Sequence, residues 1–349
     1  IYKKDKILIF LVFFAFLYLA VFGQWKSSMV TLSSIVIAVP IGVIIGLFLG
    51  ILSFKSEILE KIITPILDLM QTIPVFAYLV PILVMFGFGP VAALIATIIY
   101  AMPPMVRISL LALKNVDPQI KESGLMSGCT KRQLLWKVLI PVSKPSLMIG
   151  VNQVIMLSLN MVIIASMIGA GGLGYDVLAS LRRLNIGAGI ETGVAIVVLA
   201  IALDRLSQAF VNIKSERERN DLSFLFKYFK IILLFLFIIL IYFLSSYLPF
   251  IKSFPQELVI NTSAFWESSI KYININYFDT LEAIKVTLLT YFMLPIKRFL
   301  LGIPWPWFVL IISLIGWHYG RLKLAMLCLC LSLFIVFTGL WEKAMITIY

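Results

Sequence analysis

Long apolar runs separated by short polar segments dominate this chain. A helix needs about 20 apolar residues to cross the hydrocarbon of a bilayer. Runs of that kind lie at residues 7–23, 29–54, 62–88, 91–106, 147–168, 192–213, 231–249, 303–317 and 322–340, those at 91–106 and 303–317 being short. The runs are apolar throughout rather than alternating, so the pattern predicts spanning helices and not strands. None reads as a cleaved leader, because further spans follow along the whole chain.

The polar segments fit this reading. Lys3, Lys4 and Lys6 put the first segment on the cytoplasmic side, since Lys and Arg accumulate there and set orientation. Counting crossings then places residues 55–61, 107–144 and 204–230 inside as well, the last with Arg205, Lys214, Arg217, Arg219, Lys227 and Lys230. Arg321 and Lys323 also fall inside, while Arg182 and Arg183 stand as an exception in a short outer loop. Residues 250–302 are more polar and fall outside. Their second half mixes apolar residues with Lys285, Lys297 and Arg298, which predicts one or two interfacial amphipathic helices, with Trp305 and Trp307 at the headgroup level. A further full span there would break the charge parity.

Composition narrows the class further. Of 349 residues, 61% are hydrophobic and only 13% charged, against about a quarter charged in soluble domains. No single core could hide so much apolar surface, so an all-α polytopic membrane protein is expected. The net charge of +12 is then the basic excess of inner loops rather than a nucleic-acid footprint. Cys129, Cys328 and Cys330 offer no disulfide framework, and the lone His318 offers no metal cluster, so no metal site is expected.

One stretch repeats. "GQWKSSMVTL" at 23–32 returns as "GLWEKAMITI" at 339–348, with Gly, Trp, Met and Thr in the same register. Each follows an apolar span with basic residues at its inner end. Either the match is chance or two copies are fused in tandem, with this chain a window on both. The start at Ile1 and the stop at Tyr349 inside such a pattern agree with a fragment.

The least expected segment is "KESGLMSGCTKRQLLWKVLIP", residues 121–141. Asp117 can cap a helix with Pro118 in its first turn, Gly124 and Gly128 let that helix end, and Thr130 with Gln133 forms a capping box for a second helix that Pro141 should stop. This predicts a cytoplasmic helix–turn–helix with an apolar face and a basic rim. A DNA-reading helix is a poor fit between two spans. A solvated basic loop and a docking element for a cytoplasmic partner remain.

The spacing Glu122-Ser123-Gly124-x3-Gly128-x9-Val138-Leu-Ile140-Pro141 resembles the EAA loop of binding-protein-dependent ABC importer permeases, with Ser123 and Gly124 in place of the usual alanines. Residues 70–107, 152–178 and 195–208 further resemble the permease of glycine betaine/proline betaine importers, and residues 250–349 resemble the N-terminal region of that family. The resemblance implies a type I, MetI-like permease core. It implies a lead-in helix at 1–24, the core at 25–213, a cytoplasmic linker at 214–230 and, at 231–349, the lead-in of a second copy. It also implies a bacterial inner membrane, cytoplasmic ABC ATPase subunits that seat the 122–141 loop, a substrate-binding protein, and a second permease domain supplied by a homodimer or a fused copy. No catalysis is expected on this chain. ATP and Mg belong to the partner ATPase, in keeping with the lack of a phosphate-binding G-x-x-x-x-G-K-[ST].

Polar residues inside spans are costly and face cavities or neighbouring helices. Asp68 and Gln71, three apart, and Asn152, Gln153 and Asn160 are candidate lining of a translocation path, or else interhelical hydrogen-bonding groups. Pro74, Pro81, Pro103 and Pro104 are expected to break or bend helices. The match of Gly169-Ala-Gly171-Gly-Leu-Gly174 to a dinucleotide fingerprint lacks the strand it requires, so a flexible outer turn is expected instead. Two rivals stand beside an importer of betaine-type osmolytes: an ABC importer of methionine or another small substrate, and an ion-coupled secondary transporter.

Overall fold

The computed structural model describes residues 2–216 and 254–348, together with Leu233, Leu236, Ile239 and Leu240. Every regular element among the described residues is helical. Residues 217–230 of the expected linker at 214–230, and most of the expected span at 231–249, lie outside the described residues. A boundary after Glu267 divides the chain into two compact units.

In the first unit the helices are α1 (Tyr2–Val21), α2 (Trp25–Lys55), α3 (Glu57–Thr72), α4 (Val75–Phe86), α5 (Pro90–Lys114), α6 (Pro118–Met126), α7 (Lys131–Ala170), α8 (Leu173–Arg182) and α9 (Ile186–Glu216). The centre is the bundle of α2, α5 and α7. Lipid is as apolar as leucine, so helices there associate by close packing rather than by escape from water, and small residues bring backbones together. Gly42, Gly46 and Gly50 recur every four residues on α2. A Cβ on Gly46 would lie 2.7 Å from that of Met105, and one on Gly50 would lie 2.5 Å from the Ser109 Cβ and 2.9 Å from the Val106 carbonyl. On the other flank, Gly150 of α7 closes against Met105 and Ile108. Ala101, Met105, Leu147 and Val154 fill the space between. Ser143 donates to the Ala112 carbonyl at 3.0 Å, a buried hydrogen bond that ties α7 to α5.

At the periphery, α1 lays Leu19 against Leu173, Ala195 and Leu199 of α8 and α9. The segment after the undescribed residues returns to the same edge. Ile260 donates its N–H to the Val21 carbonyl at 2.8 Å, and Thr262 donates from both backbone and hydroxyl to the buried Glu191 carboxylate. Gly187 admits this strap, since a Cβ there would strike the Ser263 carbonyl at 2.1 Å.

Three expectations change. The run at 62–88 is not one straight span: α3 and α4 meet at a bend of 100°. Proline disfavours helix in the residue before it, and Ile73, preceding Pro74, is extended with ψ at 128°. Of the four prolines expected to break or bend helices, Pro74 stands at this break, and Pro81, Pro103 and Pro104 lie inside α4 and α5. Pro141 does not stop its helix either. A π-helical turn at Leu134–Leu139 precedes it, and the wider turn makes room for the ring, so α7 continues to residue 170. Finally, the glycine-rich turn is packed rather than loose. Gly172, at φ 85°, leaves no space for a Cβ beside the Thr31 hydroxyl, which accepts the Leu173 N–H at 3.0 Å.

The second unit takes up most of α10 (Ser263–Asn276) and continues with α11 (Phe278–Thr287), a π-helical turn at Leu288–Met293, α12 (Leu294–Gly302), α13 (Trp305–Phe337) and α14 (Trp341–Ile348). Helix α13 reverses at Gly320 and Arg321, the latter at φ 54°, so its arms at 305–319 and 322–337 pair as a hairpin through Gly316 and Ala325. The predicted runs at 303–317 and 322–340 are these arms. At about 1.5 Å per residue, each is shorter than a full crossing.

The two repeated stretches adopt one turn. Gly23 and Gly339 have φ of 70° and 72°, and each is followed by a helix that starts at a tryptophan, Trp25 or Trp341. The hydrogen bonds match position for position: Gly23 to Ala20 and Ser28 to Gln24 in one, Gly339 to Val336 and Ala344 to Leu340 in the other.

Candidate functional site

The polar loop folds from its own local signals. Asp117 caps α6 by accepting the Gln119 N–H at 2.9 Å, and Pro118 follows in the first turn, where its missing donor costs nothing. Helix α6 ends as Gly128 turns to φ 77°. The capping box then starts α7: Thr130 donates its N–H to Gln133 Oε1 at 2.9 Å and accepts the Gln133 N–H at 3.3 Å.

Two faces result. Inward, Gly124 is buried against Leu134, where a Cβ would come within 2.7 Å of Cδ1. Val116, Leu135 and Leu139 join Ile51 and Leu113 in a cluster at the ends of α2 and α5. Lys121 lies over the Phe54 ring, 5.5 Å from its centre, a cation–π contact that fastens α6 to α2. Outward stand Glu122, Ser123, Leu125, Met126 and Trp136, with Met126 89% and Trp136 54% exposed. The arrangement is a rigid platform with a greasy, charge-rimmed outer face. Of the other residues in the family-like pattern, Val138 and Ile140 are half-buried and Pro141 is exposed.

The candidate path residues divide. Gln153 and Asn160, seven apart, share an exposed stripe of α7 with Met156. Asn152 turns the other way and accepts a hydrogen bond from Ser207 of α9. Gln71 is exposed, and Asp68 is paired with Arg107 of α5, a partner that residue spacing could not reveal across 39 positions. A second pair joins the same two helices, Lys114 reaching both oxygens of Glu60 at 2.6 Å. Sequence reasoning also missed Glu191, whose carboxylate in an apolar run was itself the available signal. Among the described residues, no group of His, Cys, Asp or Glu gathers as metal ligands would.

Comparison with known proteins agrees with this geometry. Residues 38–220 match the family described as binding-protein-dependent transport system inner membrane component. The trimethylamine N-oxide transport system permease protein TmoV of Pelagibacter ubique is 37% identical over 342 residues, 95% of this chain and 47% of that protein. The glycine betaine/proline betaine transport system permease protein ProW of Escherichia coli is 48% identical over 187 residues, 54% of this chain and 53% of that protein. The glycine betaine transport system permease protein OpuAB of Bacillus subtilis is 41% identical over 203 residues, 58% of this chain and 71% of that protein. The chain thus spans about half the length of the first two of these relatives. A helical bundle around α2, α5 and α7, a capped loop between α5 and α7, and a family match over more than half its length make this chain a member of the binding-protein-dependent transport system inner membrane components.

Proposed function

We propose that this chain forms a membrane-spanning part of an ATP-driven importer for small solutes carrying a methylated, cationic nitrogen, with glycine betaine or proline betaine as substrate. The observation that carries the reading is the loop at 117–141. Its inner face is locked to α2 and α5, while its outer face offers Met126, Trp136 and Glu122. An exposed apolar face on a rigid helical pair suits insertion into a groove of a partner. Cytoplasmic ABC ATPase subunits are that partner, and they hold the ATP and Mg. Residues Glu122, Ser123, Gly124, Gly128, Val138, Ile140 and Pro141 build the docking element. A substrate-binding protein hands over the solute, gripping its cationic nitrogen against aromatic rings. Gln153 and Asn160, with Gln71 nearer the inner side, line the path, while Asp68 is engaged by Arg107 and Asn152 holds α7 to α9.

A second permease core completes the pathway, and the repeated turns at Gly23 and Gly339 support a tandem copy. A second substrate also has a specific observation in its favour. The relative that aligns with 95% of this chain is named for trimethylamine N-oxide, which shares the trimethylated nitrogen of glycine betaine.

Competition decides between the substrates. In proteoliposomes holding the full-length protein, its ATPase and its binding protein, uptake of labelled glycine betaine is expected to fall with unlabelled proline betaine and to ignore methionine. Displacement by trimethylamine N-oxide at lower concentration than by betaine itself would transfer the assignment to the second substrate. Displacement by methionine alone would overturn both.

A further inference from the structure

We propose that Glu60 and Asp68 on α3, with Lys114 and Arg107 on α5, form a two-point ionic latch that passes movement of the 115–141 loop to the broken α3–α4 span. The proposal rests on the reading of ATP-driven transport above. All four are positioning residues, acting through the helices that carry them.

Spacing is the first support. Glu60 and Asp68 are eight residues apart and Arg107 and Lys114 seven, each near two helical turns. Both carboxylates therefore lie on one face of α3 and both cations on one face of α5. The two helices run antiparallel, and the pairs close at both places. The second support is what else holds α3. Leu67 is its one buried side chain, and Ile58, Ile62, Ile66 and Leu69 are exposed. Beside the short stripe of Ile63, Leu67 and Met70, these two ion pairs are, among the described residues, the polar ties between this helix and α5.

Connection to the loop is direct. Lys114 is the last residue of α5, two positions before Val116, which is buried against Leu135 and Leu139 of the loop's second helix. A displacement of the loop must move Lys114, and with it Glu60. At its other end α3 stops at Thr72, where the 100° bend leads into α4. A rotation of α3 therefore re-aims α4.

Arg107 supplies the switching element. Its Nη2 donates to Asp68, while its Nε is buried without a partner. A carboxylate gripped side-on takes Nε and Nη together as a fork, so the contact here is half-made. A small turn of α3 would bring the second Asp68 oxygen to Nε, satisfying a buried donor that is otherwise costly to leave unpaired. The latch thus has two distinct arrangements, single and forked, as an element that alternates between access states requires.

The test is the ratio of ATP hydrolysed to labelled glycine betaine taken up, in proteoliposomes of the full-length protein with its ATPase and binding protein. Arg107→Lys keeps the charge and cannot make the fork. It should assemble and hydrolyse ATP at the wild-type rate while the ratio rises several-fold. The surface double variant Glu60→Gln/Lys114→Gln should raise the ratio likewise, and exchanging the inner pair as Asp68→Arg/Arg107→Asp should bring it back toward wild type relative to Asp68→Arg alone. Wild-type ratios in both Arg107→Lys and the Glu60/Lys114 variant would overturn the latch, as would parallel loss of hydrolysis and uptake, the mark of a merely structural role. If Arg107→Lys fails to assemble, the Glu60/Lys114 variant decides by the same ratio. Wild-type uptake indifferent to ATP would instead bring down the transport reading, and the latch with it.

Discussion

Gly50→Ala should destabilise the protein although alanine is the better helix former. The added Cβ would sit 2.5 Å from the Cβ of Ser109 and 2.9 Å from the carbonyl oxygen of Val106. Carbon atoms rest about 3.5–4.0 Å apart, so α2 and α5 must separate by about 1 Å. Neither obstacle is the far end of a flexible side chain, and separation would also strip contacts from Met105 and Ala101. Overpacking of this kind costs about 1–3 kcal/mol, opposed by the ~1 kcal/mol that alanine gains over glycine in a helix. Gly193→Ala is the internal control. That glycine is also mid-helix, with nothing within 4 Å of its would-be Cβ, so the substitution should be neutral or stabilise by up to about 1 kcal/mol. Thermal unfolding of the purified full-length protein in one detergent reads both. The midpoint should fall for Gly50→Ala and hold or rise for Gly193→Ala. Equal midpoints for the two variants would refute the claim that α2 and α5 are held by backbone-close packing.

Leu19→Ala, which empties a fully buried position beside Leu173, Ala195 and Leu199, should cost about 2–5 kcal/mol and free α1, seen as earlier unfolding by heat; an unchanged midpoint would deny α1 its packing role. Thr130→Ala removes the cap at the start of α7, worth about 1 kcal/mol, and should speed hydrogen exchange at residues 131–133 without altering the spans. Glu191→Gln keeps one acceptor for Thr262 whereas Glu191→Leu keeps none, so only the leucine variant should open residues 254–262 to limited proteolysis. Resistance equal to wild type would mean that Glu191 does not hold the strap.

What could be read from the sequence was what short spacings encode. The Asp117-Pro118 start, the left-handed Gly128 and the Thr130–Gln133 box act within a few residues, and each takes the predicted form. Pro141 misled because a π turn upstream has no reliable sequence signature. The 62–88 run looked continuous because apolarity alone does not report the backbone, although Pro74 marked the break. Gly42, Gly46 and Gly50 hid inside an apolar run: their meaning depends on what α5 presents to them. The pairings of Asp68 with Arg107, Asn152 with Ser207 and Glu191 with Thr262 join residues 39 to 71 positions apart. Only the packed helices bring such residues together, and that packing turns Asn152 away from the stripe of Gln153 and Asn160.

The central claim is that the loop at 117–141 couples this membrane domain to ATP hydrolysis, and Gly128→Asp addresses it most directly. Gly128 is exposed, at φ 77°, with nothing within 4 Å of a would-be Cβ. Aspartate is among the residues that tolerate this conformation, so the loop should still fold while gaining a charge on its outward side. Measured in proteoliposomes of the full-length protein with its ATPase and binding protein, wild-type uptake of labelled glycine betaine should require ATP, and Gly128→Asp should insert normally yet lose uptake. Uptake by the variant at the wild-type rate, or wild-type uptake that proceeds without ATP, would contradict the account.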